Sequence, residues 1–341
     1  PDGGYGWLIV VASFLMQACS FGVAAGFGVF VEFYYTNVFK GAKYSEISLI
    51  GTIAPTTMAF ASIITGRLCD IFGFRACALS GAALITLSYL LASFSTEIWH
   101  LVITQGFIFG LGGGLVYVPA NTIITHWFDK HRGLATGIGT AGSGIGGMVF
   151  SLLNAKLLPY SGYQWTLRYN AFIFLACLTF SALVIKPYLN EDKHIKRERA
   201  PLRKEMVLNG RFILFGLSTT FAAFGYLVPL YFISPYSTFI GLSASQGAIL
   251  VAILNTSNAV GRIVLGVVGD RFGHFEVYTL CLLLSTLILV IWRFAFTFPV
   301  LLVFAILYGF PAGGFAGGFP TACAALFGKI LNLDINNSLI F

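Results

Sequence analysis

The sequence is dominated by ten long runs of apolar residues separated by short polar gaps. The runs occupy residues 7–31, 47–66, 76–96, 98–125, 133–155, 169–185, 212–236, 243–268, 277–292 and 299–327. A helix needs about 20 mostly apolar residues to cross the hydrocarbon core of a bilayer, and most of the runs reach that length. Because the runs are continuous rather than alternating, they favour helices over the strands of a membrane barrel. The sequence therefore predicts an all-α, multi-pass membrane protein.

The composition excludes the main classes of water-soluble protein. Only 10% of the residues are charged and 57% are apolar, whereas about 25% of the residues in an ordinary globular protein are charged. So few charges cannot cover a surface exposed to water. The formal net charge of +7 does not indicate nucleic acid, because the basic residues fall in the gaps between apolar runs. The expected surroundings are a lipid bilayer.

Cysteine and histidine patterns predict neither a metal site nor a catalytic one. The six cysteines lie in or beside apolar runs without a C-x-x-C pair, and the five histidines lack a spacing such as H-E-x-x-H. Glycine-rich segments at 110–114 and 137–142 follow no predicted strand, so they do not predict a nucleotide site. We expect no cofactor, no metal and no enzymatic reaction.

The distribution of basic residues predicts the orientation of the chain. With the N-terminus in the cytoplasm, fourteen of the 20 Lys and Arg residues fall in inner loops and five in outer loops, while Arg262 lies within a run. Such an excess of positive charge marks the cytoplasmic side of membrane proteins. We expect a cytoplasmic N-terminus, and the plasma membrane is the default location.

A polar stretch at residues 188–210 divides the chain into two parts. Six runs precede it and four follow it. We therefore expect an N-terminal six-helix bundle over residues 1–187 and a C-terminal bundle over residues 211–341. The stretch itself is short and highly charged, which indicates a cytoplasmic linker that is partly an amphipathic helix at the membrane surface.

The two parts share a repeated loop. The segment GRLCDIFGFR at 66–75 and the segment GVVGDRFG at 266–273 have Gly, Asp, Phe and Gly at positions exactly 200 residues apart. Equivalent loops in two bundles predict parallel repeats related by an axis along the membrane normal. The glycines allow two helix ends to approach closely, and the aspartate is able to cap a helix N-terminus or to pair with an arginine.

These loops predict a latch that holds the cytoplasmic side shut in one state of a transport cycle. The alternative is an ordinary positively charged turn. The latch prediction covers Asp70, Arg75, Asp270 and Arg271 in the two loops, and Lys130 and Arg132 at the head of the fifth run.

The repeated loop resembles the signature of the major facilitator superfamily. The opening PDGGYGW at 1–7 is similar to the opening of the monocarboxylate transporter family, and WFDKHRGLATGIGTAG at 127–142 is similar to that family's second signature. The pattern is closest to the fungal-type branch of that family, whose substrates vary. The resemblance implies two six-helix bundles that transport a solute by alternating access. Since the family fold has twelve helices, the ten runs imply a chain that lacks the last two.

Arg262 is the ionisable residue deepest within an apolar run. It follows Asn258 by four residues and Asn255 by seven, so all three can share one face of a helix. A guanidinium in a central cavity would attract an anionic or strongly polar small organic solute, such as a carboxylate. The alternative is that Arg262 pairs with Asp270 or with a backbone carbonyl.

The family resemblance bears on coupling to protons. Proton-coupled members carry D-x-x-x-R at this place and a lysine in the first helix, whereas this chain has Asn258 and Ala25. Asparagine does not take up a proton at physiological pH. We therefore expect a neutral or larger organic substrate, or an anion carried without this relay. Two alternatives remain open: a proton-coupled monocarboxylate symporter, and a truncated or sensory membrane protein that does not transport.

Other polar and aromatic residues are weaker candidates for the cavity. Tyr117 and Asn121 lie four residues apart in the fourth run, on either side of Pro119. Further candidates are Gln17 and Ser20 in the first run, Phe221, Phe224 and Tyr226 in the seventh, and Tyr308 in the tenth. For each of them the alternative is ordinary helix packing. An ancillary membrane subunit is an open alternative as a further partner.

Overall fold

The computed structural model describes residues 3–128, 131–186 and 210–338, and within these ranges the chain is helical without any strand. The helices are α1 (Tyr5–Val38), α2 (Tyr44–Phe72), α3 (Phe74–Ala92), α4 (Ile98–Trp127), a bent helix over Arg132–Val184, α7 (Gly210–Phe239), α8 (Ala244–Phe272), α9 (His274–Trp292) and α10 (Phe298–Ser338). All of these helices, nine within the described ranges, are long and apolar enough to cross a membrane. The predicted all-α membrane fold is confirmed.

The bent helix contains two spans. Its 53 residues would extend about 80 Å if straight, which is far longer than a hydrocarbon core of about 30 Å. At Gly162 the backbone leaves the helical region, with φ 71° and ψ 170°, a conformation that favours glycine. We name the two limbs α5 (132–161) and α6 (163–184), and they correspond to the fifth and sixth predicted runs.

The predicted internal repeat is visible in the helix bounds. Each bound of α8 and α9 lies 200 residues after the corresponding bound of α2 and α3. The turns repeat as well, because Gly41, Gly73, Gly241 and Gly273 all have positive φ, between 84° and 103°. Glycine adopts this conformation without steric cost, which explains its presence at the same point of both halves.

Small residues on α5 bring three helices together. One side of α5 packs on α1, where a Cβ atom at Gly146 would lie 2.6 Å from the Cα of Ala18. Its other side packs on α8, where a Cβ atom at Gly144 would lie 2.6 Å from the Asn255 carbonyl oxygen. Close backbone approach of this kind is typical of membrane helices. Since α8 belongs to the second half, α5 joins the two halves.

The faces of the molecule follow from this topology. The start of α1, the turns at Gly73 and Gly273 and the start of α5 lie together, and we call this side the N-terminal face. The turns at Gly41 and Gly241 lie on the other side, which we call the opposite face. The predicted linker falls almost wholly at 187–209, outside the described residues, as does Lys130.

Candidate functional site

Arg262 lies in the middle of α8 and is 8% exposed. Its Nε donates a hydrogen bond to Asn258 Oδ1 at 2.9 Å, one helical turn earlier. Its Nη2 donates to the Tyr226 hydroxyl on α7 at 3.4 Å, and the Asn258 amide donates to the same hydroxyl at 3.4 Å. The three side chains form one network that fixes the guanidinium between α7 and α8.

Glycines make room for this arginine. A Cβ atom at Gly317 on α10 would lie 3.0 Å from Arg262 Cγ, and one at Gly137 on α5 would lie 2.9 Å from the Arg262 carbonyl oxygen. Larger residues at these two positions would push the neighbouring helices away from α8. Arg262 is thus enclosed by helices of both halves.

The partners of Arg262 leave its charge uncompensated. Among the described residues, its hydrogen-bond partners are an amide and a phenol rather than a carboxylate. Asp270, the alternative partner named from the sequence, instead contacts His274 at 3.3 Å. A buried cation without a counter-ion is costly.

Two small cavities flank the guanidinium. One is lined by residues of both halves, among them Phe21, Ala25 and Ser143 from the first and Tyr226 and Asn258 from the second, and has a volume of about 20 Å³. The other, also about 20 Å³, lies towards the N-terminal face. A volume of this size holds about one water molecule, so the site is closed around Arg262 in this conformation.

The first half contributes a polar wall near this site. Gln17 on α1 donates to Asn121 on α4 at 3.1 Å, and the Asn121 amide donates to the Tyr117 carbonyl at 2.9 Å. The Tyr117 ring packs against Phe21 with centroids 5.0 Å apart, and Phe21 lines the cavity that contains Arg262. Predicted candidates from both halves therefore lie close together.

The remaining predicted candidates lie in several places, and one of them, Asn255, lines the first cavity. The Asn255 amide donates to the Val251 carbonyl at 3.0 Å, and its side chain packs on Gly147 of α5. The Tyr308 hydroxyl donates to the Gly225 carbonyl at 3.4 Å. The prediction that Phe221 and Phe224 lie in the cavity is wrong, because both are 71% exposed on α7.

Sequence reasoning missed Phe21 and His274. Phe21 follows Gln17 by four residues, so the periodicity of α1 would have placed both on one face. His274 follows Asp270 by four residues, although a turn separates the two helices. Its place beside the cavity depends on how α9 packs, which the local pattern does not reveal.

The predicted latch residues that the structure describes lie on the N-terminal face, where they make different contacts. The Asp270 carboxylate lies against Gly133 at the start of α5, so it joins the two halves. Arg75 instead donates to the Ala182 carbonyl at 3.3 Å and to the Leu183 carbonyl, both on α6 of its own half. Asp70, Arg132 and Arg271 are exposed.

The halves also meet at the opposite face. A Cβ atom at Gly28 on α1 would lie 3.3 Å from the Tyr231 carbonyl oxygen on α7. Tyr44 on α2 and Phe232 on α7 pack with ring centroids 6.3 Å apart. Contacts between the halves therefore lie on both sides of Arg262.

The family follows from comparison with known proteins. The family model described as Major Facilitator Superfamily matches residues 13–331. The chain belongs to the major facilitator superfamily. Its members carry small solutes across membranes and are not enzymes, so the predictions of a multi-pass membrane transporter fold and of no enzymatic reaction are confirmed.

Curated fungal relatives match most of the chain. "MFS-type transporter 1" of Ophiocordyceps sp. (strain BCC 1869) is 30% identical over 96% of the chain and 73% of its own length. "Uncharacterized transporter ESBP6" of Saccharomyces cerevisiae is 34% identical over 91% of the chain, which spans 48% of that protein. "Probable transporter MCH2" of the same yeast is 30% identical over 98% of the chain and 71% of its own length.

A solved structure shares the fold. The proton:xylose symporter XylE bound to 6-bromo-6-deoxy-D-glucose matches with a TM-score of 0.71 and 16% identity, over 93% of this chain and 81% of that chain. A partially occluded inward-open XylE matches with a TM-score of 0.69 and 16% identity, over 94% of this chain and 87% of that chain. At this identity the likeness concerns the fold alone.

Proposed function

We propose that the chain carries a small organic solute with an anionic or strongly polar group across a membrane by alternating access. The observation that supports this most is the buried Arg262 guanidinium, which lies between the two halves with neutral partners. A passing anion would supply the missing counter-charge. It would form charge-assisted hydrogen bonds, which are stronger than neutral ones.

The neighbouring side chains have separate roles in this proposal. Asn258 and Tyr226 hold the guanidinium in place. Tyr117 and Asn121 bring hydrogen-bonding groups from the first half. Asn255 lines the cavity beside them. Because these groups belong to both halves, a bound solute would contact each half.

In the transport cycle the two halves would rock about Arg262. Contacts of α1 and α2 with α7 close the opposite face, while α5 and Asp270 close the N-terminal face. We assign Asp270 to the latch between the halves and Arg75 to the support of α6. Asp70, Arg271, Arg132 and Lys130 remain proposed members of the latch. The proposed topology has a cytoplasmic N-terminal face, in the plasma membrane.

A proton-coupled monocarboxylate symporter is the second candidate, because the uncompensated Arg262 suits a carboxylate. The chain lacks the carboxylate that the family's proton relay would use, since Asn258 occupies that position. Uptake driven by a pH gradient would favour this candidate, and Asn258→Asp would then change the coupling between solute and protons.

Uptake into lipid vesicles containing the purified chain tests the proposal. A panel of carboxylates and neutral organic solutes is offered to the wild type, to Arg262→Ala and to Arg262→Lys. Removal of one group from a buried charged site costs about 2–5 kcal/mol, so Arg262→Ala should lower uptake at least tenfold and Arg262→Lys should lower it less.

The matched control is Arg168→Ala. That guanidinium packs on the rings of Phe94 and Trp165 and does not line either cavity beside Arg262, so uptake should remain near wild type. Unchanged uptake by Arg262→Ala would remove Arg262 from the site. Failure of the wild type to take up any solute would contradict transport by this chain.

A further inference from the structure

His274 occupies a boundary between the site and the N-terminal face. It is the first residue of α9, and its Nε2 lies 3.3 Å from Asp270 Oδ1 on α8. It lines the cavity that also contains Arg262. It also lines a groove of about 1090 Å³ at the N-terminal face, together with Asp270 and Glu276. His274 and Tyr278 each line both spaces, so these two side chains lie between the cavity and the groove.

The cavity between His274 and Arg262 is partly polar. Thr136 of α5, Thr321 of α10 and Tyr278 of α9 line it. The Thr136 hydroxyl is buried and makes no hydrogen bond within the described residues, although buried polar groups nearly always have a partner. The cavity is large enough for one water molecule, which would satisfy this hydroxyl.

Asp270 links His274 to the contact between the halves. Both oxygens of its carboxylate lie against Gly133, the second residue of α5. The start of a helix carries partial positive charge, which attracts a carboxylate. The carboxylate therefore has two neighbours: the imidazole in its own half and the helix start in the other.

In the part of the chain that the structure describes, the other charged groups near this pair lie on α8, on α9 and at the start of α5. Arg271 on α8 and Glu276 on α9 lie beside it on their own half, and His131 and Arg132 lie at the start of α5. Arg262 is on the far side of the cavity. The parts of α7 and α10 that line the groove contribute Leu214, Phe215, Ser218, Ala325 and Leu326, which carry no charge.

We propose that His274 is a proton-sensitive gate on the route between Arg262 and the N-terminal face. The proposal rests on the proposed transport function and adds a titratable residue to it. A neutral imidazole forms at most a hydrogen bond with Asp270. A protonated imidazole forms an ion pair, which holds the carboxylate in place against Gly133 and keeps the two halves together.

The sign of the effect follows from this arrangement. Histidine is the side chain that ordinarily changes charge between about pH 5 and pH 8. Protonation from the N-terminal face should therefore stabilise the closed state of that face. Deprotonation should favour its opening. In a chain with Asn258 in the membrane centre, this gate would make the cycle respond to pH without a carboxylate at that position.

The test measures access to the cavity directly, without any transported solute. A Thr321→Cys reporter is placed in the full chain after its six cysteines are replaced by alanine. Vesicles that expose the N-terminal face are treated with a membrane-impermeant maleimide. Each labelling rate is corrected for the fraction of thiolate present at that pH. The labelling rate should fall about two- to fivefold from about pH 8 to about pH 5.

His274→Gln in the same background should abolish this fall while leaving the reporter accessible. Asp270→Asn should also abolish it and should raise labelling at all pH values, and the double variant should behave as Asp270→Asn alone. His100→Gln, a change on α4 near the opposite face, is the matched control and should keep the wild-type response.

Three results would overturn the gate: a response kept by His274→Gln, a reporter rate independent of pH, or faster labelling at low pH. Because the measurement needs no solute, it is independent of uptake by Arg262→Ala. If labelling contradicts the gate while Arg262→Ala still loses uptake, the proposed function remains intact. If labelling supports the gate while Arg262→Ala keeps full uptake, only the proposed function is removed.

Discussion

The two halves repeat the same helices but bury them to different degrees. In the most apolar stretch of α1, 67% of the residues are buried, whereas the figure is 17% for α7, its counterpart in the second half. The same holds for α3 with 44% and α9 with 17%. The pairs α2 and α8, and α4 and α10, differ less and in the other direction.

The fifth and sixth helices explain this difference. In the first half α5 covers α1, and the end of α6 is held by Tyr5, Arg75 and Trp127 through bonds to the carbonyls of Val184, Ala182 and Lys186. Among the described residues, no helix pair covers α7 and α9 in this way. α8 stays buried because it packs on α5 of the first half, at Gly137 and Gly144, and on α10 of its own half, at Gly309.

Substitution of one glycine in the first helix of each half, α1 and α7, should give the largest difference in the free energy of unfolding. A Cβ atom at Gly22 on α1 would lie 2.9 Å from the Cα of Gly146, whereas one at Gly216 on α7 would meet nothing within 4 Å. Overpacking typically costs 1–3 kcal/mol, so Gly22→Leu should cost about 3 kcal/mol of unfolding free energy. Gly216→Leu should change it by less than about 0.5 kcal/mol. Denaturation in mild detergent measures both, and equal losses would contradict the comparison.

Removal of Arg75, which holds the end of α6, should give an intermediate difference in stability from removal of its counterpart in the second half. Arg75→Ala removes two charge-assisted hydrogen bonds to carbonyls, and a bond to a charged group contributes about 1.5–3 kcal/mol. Phe275 is the equivalent residue of the second half and is 36% exposed, so Phe275→Ala should cost about 1 kcal/mol or less. Thermal unfolding of the two variants in one detergent decides this. A larger loss for Phe275→Ala would show that α9 is covered as α3 is.

The starts of α2 and α8 should give the smallest contrast. Ser243 caps α8 through a reciprocal pair of bonds with Gln246, whereas Lys43 makes no side-chain cap on α2. Loss of such a cap costs about 1 kcal/mol, so Ser243→Ala should destabilise the protein by about that amount. Lys43→Ala should have little effect in the same unfolding measurement. Identical stabilities would remove the capping box from the account.

The sequence predicted the helices well, because apolar length and the spacing of glycines carry that information. The repeat was visible from the Gly, Asp, Phe and Gly residues that the loops at 66–73 and 266–273 share. The bend at Gly162 and the contact of Tyr226 with Arg262 could not be predicted from the sequence, since they depend on packing between distant segments. Phe221 and Phe224 misled because α7 is apolar on all sides, so periodicity does not identify its inner face.

The central claim is that Arg262 lies on a route that opens to each face in turn. Labelling of an Arg262→Cys variant, in a chain otherwise free of cysteine, tests it most directly. A membrane-impermeant thiol reagent is applied to oriented vesicles from one face and then from the other. The account predicts labelling from both faces, because the closures at Asp270 and at Gly28 open alternately. Labelling from neither face, or from one face only, would contradict it.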